Sequence, residues 1–175
     1  MWIVDVDGTL ALRGDRSPYD WSRVGEDEPN RPVITVARAL AARSGLIFMS
    51  GRMEQCREAT RLWLHSYVCD RSLPVDMCHY PLLMRKDGDN RPDQIVKREL
   101  FEQRVVGLYE VEGVLDDRDR VVRMWREELG LTCLQVAPGA FLWPPTRQDV
   151  TRAPAVAAAP ESGMMSGDSQ EAPVT

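Results

Sequence analysis

The sequence has little that would carry it into a membrane or tie it to a soft metal. No apolar run approaches the roughly 18 residues that a bilayer-spanning helix needs. The opening Met1-Trp2-Ile3-Val4 meets an acid already at Asp5, too early for a secretory signal. These absences lead to the expectation of a soluble, cytoplasmic chain with no membrane partner. Cysteine is sparse: Cys56, Cys69, Cys78 and Cys133 form no C-x-x-C pair, and His65 and His79 do not stand at zinc-finger spacing. Reduced thiols in core positions are therefore expected, with half a metal site at Cys69, Cys78 and His79 as the alternative. Positive charge is not in excess. Twenty-two Lys and Arg against 27 Asp and Glu give a net charge of -5, which excludes bulk basicity as a grip on nucleic acid and leaves room only for a local groove. No G-x-x-x-x-G-K-[ST] occurs, so the phosphate cradle of a P-loop kinase is missing, and no internal repeat is present.

What remains is the composition of a globular chain, 43% apolar and 28% charged over 175 residues, enough for one domain and a tail. Residues 1–150 are expected to fold. Residues 151–175, rich in Ala, Pro, Ser, Gly and Met without an apolar period, are expected to be a disordered tail. Short apolar runs at Trp2–Val6, Leu46–Met49, Gly113–Leu115 and Leu131–Val136 read as strands, with a weaker one at 75–84 that Pro81 assigns to a sheet edge. Between them Val33, Val36, Ala37, Leu40 and Ala41 recur at helical spacing. Further helices are expected over Met53–Tyr67, from Pro92 through Phe101, and from Val121 to a stop at Gly130. This alternation predicts an α/β fold, a Rossmann-like three-layer αβα arrangement around a parallel five-stranded sheet.

The acids fall at the strand ends, where ligands bind in an open parallel sheet. Asp5-Val6-Asp7-Gly8-Thr9 closes the first strand. Period-two alternation puts Asp5 and Asp7 on one side, where two carboxylates repel unless a cation or shared proton intervenes. Ser50-Gly51-Arg52 closes the second strand, with Ser50 placed to cap the next helix. Lys97 lies one to two turns into the third helix, and Asp116-Asp117 follows the apolar Gly113-Val114-Leu115 as a second acidic lobe suited to a hard cation.

In this order, Asp-x-Asp, Ser, Lys and Asp-Asp, the chain resembles the haloacid dehalogenase superfamily of phosphotransferases. Within it, DVDGTLA at 5–11, RSPYDW at 16–21, MSGR at 49–52, DNRPDQIVKRELF at 89–101, LDDRDRVVRMW at 115–125 and CLQVAPGAF at 133–141 look like the 3′-phosphatase domain of the bacteriophage polynucleotide kinase-phosphatase family. The resemblance implies an Mg²⁺-dependent phosphomonoesterase. Asp5 would be the nucleophile and Asp7 the general acid and base; Asp5, Asp7 (through its carbonyl), Asp116 and Asp117 would surround the metal. Ser50, Gly51, Lys97 and Thr9 would hold the phosphate. Arg16, Arg52 and Asp93 match substrate residues of that family, with Arg85 and Arg91 as further contacts. A 5′-kinase activity is not carried over.

The intervals between Asp7 and Ser50 and between Ser50 and Lys97 leave no room for a folded cap domain. An open cleft suits a polymer end, with the arginines on phosphates and Tyr19 or Trp21 available to stack on a base. The expected substrates are therefore 3′-phosphorylated nucleic-acid ends, or nucleotides. A small-molecule phosphatase or nucleotidase with a lid from a second subunit is the alternative, which also leaves homo-oligomers open. The reading from another class is a binding protein that keeps the fold without turnover, against which the acid at position 7 speaks.

Overall fold

Five short strands lie side by side in the order β5-β4-β1-β6-β7, all parallel. They are β1 (Trp2–Asp5), β4 (Leu46–Met53), β5 (Leu82–Arg85), β6 (Gly113–Asp116) and β7 (Cys133–Gln135). The computed structural model describes residues 1–17, 20–69 and 79–138. All of them lie in the compact unit Met1–Pro144, and the tail expected at 151–175 is outside the described residues.

Strand alternation decides which side chain enters which layer. Val4, Phe48 and Leu115 pack with Leu82 and Met84 on one face, beneath Ile34 and Ala37 of α1 (Arg31–Ser44) and Trp63 and Leu64 of α2 (Arg57–Tyr67). Ile3, Ile47, Met49, Leu83 and Val114 face the other way. There they meet Leu100 and Phe101 of α3 (Asp93–Arg104) and Val121 and Val122 of α4 (Asp119–Arg123). Helix α4 continues into a wider π turn, Met124–Glu128, which carries the buried Trp125. The three-layer α/β arrangement is the one expected, and no folded cap domain is inserted among the described residues.

The differences are local. Of the weak third strand expected over 75–84, residues 75–78 lie outside the described residues, and the strand observed, Leu82–Arg85, follows Pro81 and does occupy a sheet edge. Strand β4 does not end at Met49. A register shift between Ser50 and Met53 lets it keep pairing with β5 as far as Met53↔Arg85, so Ser50 lies within a strand and caps no helix. An unexpected hairpin of two-residue strands, β2 (Ala11–Leu12) against β3 (Glu28–Pro29), encloses a 3₁₀ turn at Trp21–Glu26. Strands that short carry no period to read. Reduced thiols hold for Cys56 and Cys133, but Cys69 is disulfide-bonded, a pairing that no C-x-x-C spacing announces.

Phe48 sits at the centre of the first layer, 1% exposed, with Tyr80 edge-on at 5.9 Å. Replacing it by alanine should cost about 3–5 kcal/mol of unfolding free energy, read from urea denaturation.

Candidate active site

The strands deliver their last residues to one end of the sheet. Asp5 closes β1, Asp116 closes β6, and the two strands are neighbours. Both carboxylates are buried, and Asp117 joins them, so that one oxygen of each of Asp5, Asp116 and Asp117 lies within 4.8 Å of the others. Lys97, in the second turn of α3, reaches in from the side: its Nζ donates to Asp5 Oδ1 at 2.6 Å and to Asp116 Oδ2 at 2.8 Å. Trp125 Nε1 donates to the same Asp116 oxygen at 3.3 Å. Asp5 Oδ2, by contrast, is buried without a hydrogen-bond partner. Gly8 keeps φ at +88°, and a Cβ there would run into the Asp117 carboxylate, so glycine is the residue that lets the turn pass.

Three carboxylates against one ammonium leave two negative charges uncompensated. Burial pushes the Asp5 carboxyl well above its usual range, and the charges of Asp116 and Asp117 add to this against the pull of Lys97. Burial, then Asp116, likewise push Asp117 up to about 6, although Lys97 and Arg118 oppose the rise. Burial alone would discharge Lys97, but Asp116 and Asp5 outweigh it and hold the ammonium more firmly than usual. An acceptor set of clustered, underpaired oxygens fits a hard divalent cation better than any soft metal.

Asp7 joins a different cluster. Hydrogen bonding of β1 stops at Asp5, so alternation no longer aims Asp7. The turn that follows, with Ala11 N donating to Val6 O, sends its carboxylate toward Arg52. Arg52 Nε lies 2.9 Å from Asp7 Oδ2, and its Nη2 lies 3.0 Å from Oδ1. Arg16 Nη2 donates to Oδ1 at 3.2 Å and Ser50 Oγ to Oδ2 at 3.3 Å. Burial raises the Asp7 pKa, but the charge and hydrogen bonds of Arg52, with help from Arg16 and Ser50, win and lower it. Asp27, from the unexpected hairpin region, accepts from both arginines.

Asp93 lies at the rim, the first residue of α3. It pairs with Arg85 Nη2 and, at 2.6 Å, with Arg118 Nη1. Arg85 also donates to the Gly51 carbonyl, and Gly51 has no room for a side chain beneath the Asp93 carboxylate. Arg91 is brought no closer: its guanidinium is half-exposed and pairs with Asp89 and Glu99, and only its carbonyl touches Arg85. Thr9 is wholly buried in the turn, its hydroxyl without a hydrogen-bond partner. Trp21 packs against the core rather than standing free for a base, and Tyr19 lies outside the described residues.

A family model described as the polynucleotide kinase PNKP phosphatase domain matches residues 1–141. The chain belongs to this family. It is a phosphatase of the haloacid dehalogenase type. A protein of Autographa californica nuclear polyhedrosis virus designated a bifunctional polynucleotide kinase/RNA ligase is 40% identical over 128 residues, 71% of this chain. A chain in the solved Pnkp1/Rnl/Hen1 complex is 43% identical over 80% of this one, with a TM-score of 0.71, and a second structure of that RNA repair complex gives 0.70 at the same identity. The class C acid phosphatase of Bacillus anthracis, solved with tungstate, shares the fold at 14% identity over 85% of this chain and 75% of its own, with a TM-score of 0.50. This chain spans 17% of the viral relative and 46% and 43% of the two complex chains.

Four contributors to this PNKP-type site carry no sequence signal of their own. Asp27 sits in an acidic stretch that reads as solvent-facing, and Thr60 on a helix face that reads as core. Arg118 merely follows the acid pair. Trp125 lies in the helix expected from Val121, and its buried indole needs an acceptor, but no sequence pattern names Asp116 as that acceptor. Replacing Lys97 by methionine should destabilise the metal-free protein by about 3–5 kcal/mol, because Asp5 and Asp116 would lose the charge between them; chemical denaturation measures it.

Proposed function

We propose that this chain removes the terminal phosphate from 3′-phosphorylated nucleic-acid ends in a Mg²⁺-dependent reaction through a phosphorylated Asp5. The observation that carries the reading is Asp5 itself: Oδ1 is fixed by Lys97 while Oδ2, buried and unpartnered, remains available to attack. In the first step Oδ2 bonds to phosphorus, the bond to the 3′ oxygen breaks, and that oxygen takes the electron pair and a proton from Asp7. In the second step Asp7 takes a proton from water, whose oxygen displaces the Asp5 carboxylate and frees inorganic phosphate. The arginines favour the ionised Asp7 that the second step uses. An incoming phosphate competes for their field and favours the protonated form needed for the first.

Asp5, Asp116, Asp117 and the Asp7 carbonyl would hold the Mg²⁺. When bound, that ion supplies positive charge to offset the two uncompensated carboxylates and the phosphate oxygens. Lys97, Ser50 and the peptide at Gly51 border the place where those oxygens would lie, with Arg85, Asp93 and Arg118 on the rim. Arg16 and Arg52 reach the substrate through Asp7, and Thr9 supports the turn. The viral and complex relatives are named for polynucleotide phosphorylation, RNA ligation and RNA repair. By that likeness the substrate is an RNA end.

Phosphate release is measured from one oligonucleotide 3′-phosphorylated, the same oligonucleotide 5′-phosphorylated, and a small aryl phosphate, each with and without Mg²⁺. Release only from the 3′ end and only with Mg²⁺ is expected. Faster 5′ release, or release from the aryl ester alone, would make this a phosphatase of another substrate class. Asp5→Asn should lose about 10³-fold or more in kcat while unfolding within about 1 kcal/mol of the parent. Mg²⁺ should also raise the melting temperature of the parent in proportion to log concentration above its Kd, and leave that of Asp116→Asn unmoved.

A further inference from the structure

Asp27, which no sequence motif includes, lies directly under Asp7. It follows the 3₁₀ turn Trp21–Glu26, and its carboxylate is 1% exposed. Arg16 Nε donates to Oδ1 at 2.6 Å, while Arg16 Nη2 and Arg52 Nη2 share Oδ2 at 2.6 and 2.7 Å. The same two guanidiniums hold Asp7, so each bridges two carboxylates. Arg16 spends its remaining Nη1 on the carbonyls of Ser17 and Asp20, and Arg52 Nη1 donates to Thr60 Oγ1 at 3.1 Å.

Exposure orders these groups by depth: the Asp7 side chain is 30% exposed, against 2% for Arg16, 0% for Arg52 and 1% for Asp27. A ligand in the cleft therefore meets Asp7 and not the guanidiniums beneath it. The Asp27 carbonyl accepts from Trp63 Nε1 at 2.7 Å, which pins this acid to α2, the helix that also supplies Thr60.

We propose that Asp27 is a positioning residue for the phosphatase reaction, fixing Arg16 and Arg52 so that together they aim the Asp7 carboxyl at the leaving oxygen. This rests on the reading of Asp7 as proton donor given above. Two acids and two guanidiniums make a neutral, fully paired cluster. Without Asp27, two buried cations would face one carboxylate, and both would be free to swing from Asp7 toward the arriving phosphate. A proton donor displaced by a fraction of an ångström loses much of its effect.

The experiment compares Asp27→Asn and Asp7→Asn on two substrates, a 3′-phosphorylated oligonucleotide and its analogue with sulfur bridging the 3′ carbon and phosphorus. The alkoxide of the first needs a proton to leave; the thiolate of the second does not. Read as the single-turnover rate of 3′-alcohol or 3′-thiol release, the step before Asp7 acts as a base, both variants should lose about 10²-fold on the oxygen ester, with KM within about threefold and a loss below about fivefold on the sulfur ester. If Asp27→Asn lowers both esters in equal proportion, or raises KM tenfold at unchanged kcat, the positioning role is wrong. If Asp7→Asn itself shows no difference between the esters, the proton-donor reading fails first. Should circular dichroism show Asp27→Asn unfolded, Thr60→Val takes its place: it removes the acceptor of Arg52 Nη1, together with the long contact from Thr60 Oγ1 to Cys56 Sγ at 3.9 Å. It should show the same bias at about fivefold, and an equal loss on both esters would overturn the proposal.

Discussion

The site turns on an excess of negative charge that the fold creates and only partly cancels. Neighbouring strand ends bring Asp5 and Asp116 together with Asp117, and one buried ammonium, Lys97, stands among them. Like charges at such separations are costly in a dry interior, and proteins relieve them by protonation or by a cation. The raised pKa values of Asp5 and Asp117 express the first remedy; a divalent ion would be the second. Only one of the two leaves the carboxylates ionised, which a nucleophile requires.

The neighbouring cluster is built on the opposite rule. Asp7, Asp27, Arg16 and Arg52 pair completely, and their hydrogen bonds leave Asp7 alone in contact with the cleft. One lobe is thus underpaired and receptive, the other saturated and rigid. Between them Ser50, in the irregular stretch of β4, donates to Asp7 and accepts from the Arg52 amide, joining the strand to the saturated lobe. A division of this kind lets one group bind charge while another keeps its direction.

Most of the layered fold could be read ahead of the structure because its strands are apolar runs closed by acids, and its helices repeat every three to four residues. The positions of Asp5, Lys97 and Asp116 followed from that reading. What escaped depends on short or irregular backbone. The hairpin at Ala11–Leu12 and Glu28–Pro29 is too brief to show a period, and with it went Asp27. The continuation of β4 past Ser50 depends on a register shift that only pairing with β5 produces. The arginines were expected on substrate phosphate, and their turn toward Asp7 comes from a partner no pattern announced. Side-chain direction after a strand ends is set by tertiary contacts, which sequence spacing does not encode.

The hydrogen bond from Lys97 to Asp5 joins residues 92 positions apart. No fragment that lacks either β1 or α3 can assemble the receptive lobe, and the entropy of closing a loop of that length opposes its early formation. Turnover in this molecule is therefore a late event of folding. During renaturation, helix content should return before catalytic competence, and activity becomes a gauge of how much of the population has brought these distant segments together.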